Sequence, residues 1–310
     1  MLDTEAIRKH FPFLQSTIEL RADNPNPAAR TFVDSTASTQ MPMEVLDGMA
    51  QALFQYANVH RGRYEASEDS TELFERSYNV AANLVNADSW REIILGRGTT
   101  EMINLVMYSL TDEFRDGDNV VVTKLEHNSN YVPWHGLQQR LAKRGIDVQV
   151  RVVDFDKETG EPHMSQLESM VDNRTKILAM TGASNVLGIK PDIKRAAEIA
   201  HSTNYRHPND VKGTYVLVDG AQLVPGSPTD VKELGCDFLA WSFHKMLVPL
   251  GVGGLYGKLN LLDSMEPFHY GGDMVDEVSV GEVTYKPNPW KFTAGTPNIL
   301  GTIATTPGMY

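Results

Sequence analysis

The sequence predicts an α/β fold, a mostly parallel sheet with helices on both faces, on three observations. Short apolar runs, REIILG, NVVVT, KILAMTG, YVLVDG and CDFLAWS, recur along the chain. Amphipathic segments such as EMINLVMYSLTDEF, VPWHGLQQRLAKRG and PDIKRAAEIAHST alternate with them, the pattern of repeated strand and helix units. Each run is followed at once by polar residues, and in such sheets ligands bind beyond the carboxyl ends of the strands.

The 310 residues are 41% apolar, enough to bury a large core. Lys plus Arg total 28 against 40 for Asp plus Glu, a net charge of -12, so neither nucleic acid nor anionic lipid is an expected partner. The start, MLDTEAIRKHFPFL, has no signal-peptide apolar region, and no run approaches the ~18 apolar residues of a membrane span; the chain reads as cytoplasmic. A single cysteine, Cys236, excludes an internal disulfide and any Cys-x-x-Cys motif. There is no internal repeat and no low-complexity tract, and the polar stretch 201–213 reads as a long surface loop.

In chain order, the first strand is followed by Arg97-Gly98-Thr99-Thr100-Glu101. Free N–H groups and the helix dipole at that point suit a phosphate, or the threonines simply cap the helix. The second run leads into LEHNSN with His127, which is either a site residue or a satisfied turn histidine. Asp219 ends YVLVDG, where a carboxylate needs a partner, or it caps the next turn. SPTDVKELG predicts a helix with Ser227 as N-cap, Pro228 at its first position and Gly235 as its stop, returning the chain to CDFLAWS. That connection puts Asp219 and Lys245 at the same edge of neighbouring strands. A lysine is ordinarily a solvated surface residue. Here Lys245 follows an apolar strand between further donors, Ser242 and His244, a setting in which an amine can form a Schiff base with an aldehyde. Pyridoxal phosphate needs such a lysine, an anion site and an acid for its ring nitrogen, and this sequence offers all three. GVGG, after Lys245, reads as a strand in close approach to a neighbour. The nine histidines are dispersed and form no metal-binding pair, so no metal is expected.

The ordered set FVDSTASTQMP, NVHRGR, RGTTEMINLV, LEHNSNYVPW, SNVLG, VLVDGAQLV, SFHKML and FTAGTPN, over about residues 30–304, resembles the class V aminotransferase family, and within it the SUF-type cysteine desulfurases and selenocysteine lyases. The resemblance implies a pyridoxal 5'-phosphate enzyme that takes sulfur from L-cysteine and leaves alanine, in sulfur metabolism and iron–sulfur cluster assembly. It implies a homodimer with a shared active site and a sulfur-acceptor protein. An epimerase, a carbon–sulfur lyase or a non-catalytic binding homologue are the alternatives.

By resemblance, Lys245 holds the cofactor and moves the proton at the substrate α-carbon, Asp219 pairs with the ring nitrogen, Gln222 contacts the ring hydroxyl and His127 stacks on the ring. Thr99, Thr100, Ser242 and His244 form the phosphate cup, and Thr296 matches a residue supplied by the second subunit. Asn185, Ser35 and Ala37 match positions near substrate or cofactor. His60 and Arg61 match a loop that reaches the partner's site; otherwise they are a solvated basic loop.

The resemblance also sets expectations that this sequence departs from. Relatives carry the persulfide-forming cysteine and a carboxylate-binding arginine in a C-terminal domain. Residues 1–30 are therefore expected to pack on such a domain, 31–300 to form the cofactor-binding domain and 301–310 to begin a connecting helix that Pro307 ends. Cys236, at the start of a buried strand, is a poor substitute thiol. Phe243 and Val248 stand where relatives often have glycine, which predicts a narrower pocket.

Overall fold

Burial on both faces fixes the strands. In the computed structural model, which describes residues 3–15, 31–249 and 251–308, seven strands form one sheet: β1 (Ile93–Gly96), β2 (Asn119–Thr123), β3 (Gln149–Val153), β4 (Thr175–Thr181), β5 (Tyr215–Asp219), β6 (Phe238–Ser242) and β7 (Gly253–Gly257). Their order is β1-β7-β6-β5-β4-β2-β3. Every residue of β2, β4, β5 and β6 is buried, so each reads in the sequence as a short apolar run between polar ends.

Alternate side chains divide between two cores. Val120, Val122, Ile177 and Ala179 pack with Met102, Val106, Trp134 and Leu137 from helices Thr99–Ser109 and Asn128–Ala142. Val121, Leu178, Met180 and Trp241 face the other way, toward Phe74, Tyr78 and Ala196 of helices Glu65–Leu84 and Ile193–His201. Fully burying one such Leu, Ile or Val contributes about 1.5–3 kcal/mol, so the two layers together dominate the stability of the fold.

Strands β2 to β6 are parallel to their neighbours, whereas β7 runs antiparallel to both β6 and β1. The reason is length. A parallel crossover needs a dozen or more residues and usually a helix, and the stretch between Ser242 and Gly253 is too short for one. The chain must turn back, and Lys245 sits in that turn, at the end of a 3-10 helix (Phe243–Lys245).

β7 has a second constraint. A Cβ on Gly253 would lie 2.3 Å from Cα of Gly98, so only glycine lets the turn into helix Thr99–Ser109 cross β7 and reach the end of β6. The predicted close approach of GVGG is thus between β7 and the candidate phosphate turn.

Several local expectations are corrected. The helix in SPTDVKELG covers only Val231–Leu234 and is capped by Asp230, whose side chain accepts from Lys232 N and Glu233 N; Ser227 ends the preceding turn instead. Aspartate has two acceptor oxygens where serine has one hydroxyl, and it stands one residue before the helix. Gly235 does end it, at φ 68°. The break falls at Ala304, before Pro307, which lies in the first turn of a further short helix, Thr305–Gly308, where its missing N–H has no helical partner to lose. The loop 201–213 carries a buried core of its own, with Tyr205 and His207 both 3% exposed. Phe243 and Val248 are buried in the core, Phe243 edge-on to Trp241, so they narrow no pocket.

Residues Thr4–Lys9 and Pro12–Gln15 form two short helices with no buried side chain; the rest of the N-terminal segment, 16–30, lies outside the described residues. A hairpin, β8 (Val275–Ser279) with β9 (Glu282–Tyr285), stands apart from the main sheet. No helix among the described residues is long and apolar enough to cross a membrane.

The Gly253 contact is testable. Gly253→Ala should lower the unfolding free energy by about 1–3 kcal/mol, the range for overpacking a tight contact, in denaturant titration, while Gly226→Ala, with open space around its Cβ, should not.

Candidate active site

The polar residues after the strands converge on one cavity of about 460 Å³ at the carboxyl ends of the sheet. β1 delivers Thr99 and Thr100, β2 delivers His127, β4 leads to Asn185, β5 gives Asp219 and Gln222, and β6 gives Ser242, His244 and Lys245. β5 and β6 are paired with Asp219 opposite Ala240, which places Asp219 and the Lys245 turn side by side as expected.

Asp219 is 3% exposed. Its oxygens accept from neutral donors, Oδ2 from Ser129 Oγ at 3.1 Å and Oδ1 from Ala221 N at 3.0 Å. Burial pushes its carboxyl above the usual range, against those two bonds and the fields of His127 and Lys245. Burial pushes the Lys245 amine below the usual lysine range, against the pull of Asp219. Both groups are therefore driven toward their neutral forms: each lacks enough opposite charge in the protein itself, which is the condition of a site built to take charge from a ligand.

Thr99 does not stand open to a ligand. It is buried, its N–H donates to Ser242 Oγ at 2.8 Å, and its hydroxyl is 2.7 Å from the same oxygen. Thr99 thereby fixes Ser242, while Thr100 is exposed in the first helical turn, behind an N-cap, Gly98, that offers no side-chain bond. The free N–H groups of that turn carry the positive end of the dipole. His244 has a buried Nδ1 without a hydrogen-bond partner, and burial followed by the charge on Lys245 pushes its imidazole below the usual range. An orphaned ring nitrogen and an uncapped helix start beside each other fit a phosphate, and a buried carboxylate with only neutral donors fits a ring cation, so the residues present fit pyridoxal phosphate.

His127 is the N-cap of helix Asn128–Ala142. Its Nδ1 accepts Ser129 N at 3.1 Å and lies 2.8 Å from Ser129 Oγ, so the neutral ring carries its proton on Nε2. Ser129, whose N–H the His127 cap receives, links His127 to Asp219; its place two residues after His127 is its only signal in the sequence. Glu126, next to His127, carries no such signal. It accepts from Thr123 Oγ1 (2.7 Å), Thr181 N (2.9 Å) and Asn130 Nδ2 (2.6 Å), tying β2 and β4 to the helix that starts at Asn128. Gln222 Nε2 donates to the carbonyl of Thr36 at 2.9 Å, which draws the 34–39 segment over the cavity, with Ala37 in its wall.

Four expected residues lie elsewhere. Ser35 faces a second cavity on the far side of the Lys245 turn. Thr296 is exposed and lines a separate, smaller cavity with Arg97 and Glu101. His60 turns into its own chain, its Nε2 3.2 Å from Glu75 and its Nδ1 3.7 Å from Asp273, against the rings of Phe74 and Trp290; Arg61 beside it is exposed.

The aminotransferase class-V family model matches residues 31–309. The chain belongs to the class-V aminotransferase family. It is 40% identical over 302 residues to a cysteine desulfurase of Dickeya dadantii, a match covering 96% of this chain and 68% of that protein. Similarity to a cysteine desulfurase of Haloferax volcanii is 36% over 308 residues, again 96% and 68% of the two chains. Among solved structures, the apo cysteine desulfurase of Thermococcus onnurineus superposes with a TM-score of 0.86 at 30% identity, over 100% of this chain and 70% of that one. A cysteine desulfurase of Escherichia coli gives 0.83 at 33% identity, over 100% and 71%. This class-V aminotransferase is a pyridoxal phosphate enzyme, as the family is.

Glu126 gives the apoprotein a pH signature. Burial outweighs its three hydrogen bonds and raises its carboxyl to about 8 from 4.5. A raised acid binds more protons folded than unfolded, so its contribution to stability is present at low pH and is lost as pH rises from about 4.5 to about 8. In denaturant titrations across that window, Glu126→Gln should gain on the wild type with rising pH, with a limiting slope of about 1.4 kcal/mol per pH unit. A difference that stays flat with pH would show that Glu126 is already ionised in the fold.

Proposed function

We propose that this chain is a cysteine desulfurase-like enzyme that binds pyridoxal phosphate at Lys245 and acts on L-cysteine. The observation that carries the reading is the convergence of Lys245, Asp219, His127 and the Thr100, Ser242 and His244 group on one cavity, with a chain 40% identical to a named cysteine desulfurase.

Bound there, the cofactor supplies an electron sink conjugated to the substrate α-carbon. Lys245 attaches the cofactor, and its amine, favoured in the neutral form by burial, then moves the proton at that carbon. Asp219 would balance the ring nitrogen's proton; Ser129 keeps the carboxylate oriented and at the same time fixes His127, which would stack on the ring. Gln222 and Asn185, which line the same cavity, would contact the ring hydroxyl and the substrate or cofactor, and Ser242, held by Thr99, would join Thr100 and His244 around the phosphate. Thr296 completes the cup from a second copy of the chain; its place outside its own chain's cavity supports a homodimer with shared sites.

Sulfur removal needs a thiolate: the cysteine C–S bond breaks, an S–S bond forms on the acceptor thiol, and a proton reaches Cβ to leave alanine. Cys236 cannot serve. It is fully buried, and burial pushes its thiol up to about 12. The acceptor thiol therefore comes from outside these 310 residues, in a sulfur-acceptor protein or a further part of the enzyme.

The test uses the chain reconstituted with pyridoxal phosphate, L-cysteine and an added thiol. Alanine should form together with sulfane sulfur, and Lys245→Ala should abolish both the visible cofactor band and at least about 10²-fold of the turnover. Pyruvate in place of alanine would mark a carbon–sulfur lyase, and D-cysteine an epimerase; wild type with no visible band would mark a non-catalytic homologue.

A further inference from the structure

The turn that carries Lys245 is a thin partition. On one side lies the cofactor cavity and on the other a second cavity of about 560 Å³, and both are lined by Lys245, Thr36 and Gln222. Phe243 and Val248 root the two ends of this turn in the core, but between them the lysine borders cavities on both sides.

The backbone there is also strained. Leu247, two residues on, has φ +65°, a left-handed conformation that a leucine side chain disfavours. Such a residue persists only where its surroundings hold it. The contact that holds it is a hydrogen bond from Leu247 N to Thr39 Oγ1 at 2.7 Å. Thr39 grips the other flank of the lysine as well: its N–H and its hydroxyl donate to the carbonyl of His244 at 2.9 and 3.1 Å, joined by Ser38 Oγ at 3.1 Å.

From this geometry we infer that Thr39 is a positioning residue for Lys245: one hydroxyl brackets the lysine, accepting from the residue two after it and donating to the residue before it. The inference rests on Lys245 as the attachment point proposed above. The two halves of the bracket are unequal. The carbonyl of His244 keeps two donors without the Thr39 hydroxyl, whereas the N–H of Leu247 loses its acceptor, so the specific contribution is to the left-handed turn after the lysine. The 34–39 segment is in turn anchored by Gln222 on the carbonyl of Thr36, so the bracket is tied to β5, the strand that carries Asp219. Lysine and acid are thereby registered to one another through a segment far from both in sequence.

The experiment is reconstitution of the full chain with pyridoxal phosphate, following the rate at which the visible band forms and the pH at which it titrates. Thr39→Val keeps the shape of the side chain and removes the hydroxyl. It should slow band formation on the order of tenfold, as expected when a reacting amine is displaced by a fraction of an ångström, and shift the pH midpoint of the band. Thr39→Ser should restore both, and the thermal midpoint of the cofactor-free protein should be the same for wild type and Thr39→Ser. Wild-type rate and pH midpoint in Thr39→Val overturn the inference, as does a Thr39→Ser variant as slow as Thr39→Val. Wild type that forms no band overturns the attachment at Lys245 and this inference with it, whereas a wild-type band lost in Lys245→Ala upholds the attachment whatever Thr39→Val does.

Discussion

A carboxylate at the end of a fully buried strand is the constraint around which the rest of this site is arranged. Asp219 cannot reach water, and its own chain answers it with two neutral donors and a lysine that burial has itself pushed toward neutrality. A pair of this kind is poorly compensated without a ligand. A heterocycle that brings a proton on nitrogen relieves the acid, and an aldehyde that consumes the amine relieves the lysine, so cofactor binding and folding stability pull in the same direction.

The anion side is built from backbone, not from cations. Among the residues gathered there, Thr99 is spent on holding Ser242, which leaves the helix start at Thr100 uncapped beside His244, whose buried Nδ1 has no hydrogen-bond partner. That arrangement depends on a turn crossing a strand, and the crossing depends on Gly253, whose missing side chain lets Gly98 pass. A glycine on β7 therefore lets the candidate phosphate turn reach the end of β6. The short return from β6 to β7 acts likewise: it forces the reversal that presents Lys245 at the sheet edge.

Much of this was legible in the sequence because it lies on strands. Runs such as YVLV and FLAW are apolar throughout, and the residue at the end of a buried strand is confined to one edge, so Asp219 and Lys245 could be placed together from pattern alone. Ser129, Glu126 and Thr39 were less legible, since their roles depend on hydrogen bonds across long sequence separations that no period encodes: Ser129 reaches Asp219 over 90 residues and Thr39 reaches Leu247 over 208. Phe243 and Val248 misled for a related reason. Substitution of a glycine suggests bulk in a pocket, but whether the side chain points at ligand or core is set by the turn, and here the turn sends both inward.

Sulfur chemistry is separable from carbon chemistry in this chain, and the strand geometry says why. Cys236 precedes β6 and Lys245 follows it, so the single thiol lies at the opposite edge of the sheet. At about 3.3 Å per residue the separation is on the order of 20 Å. No side-chain motion spans that distance through a packed core. Burial, followed by the charge of Asp237 next to it, also holds the thiol in its protonated, unreactive form. Lys245 and Asp219 thus stand at the cavity and the chain's one thiol does not, while His127 and Asn185 line the cavity and are exposed.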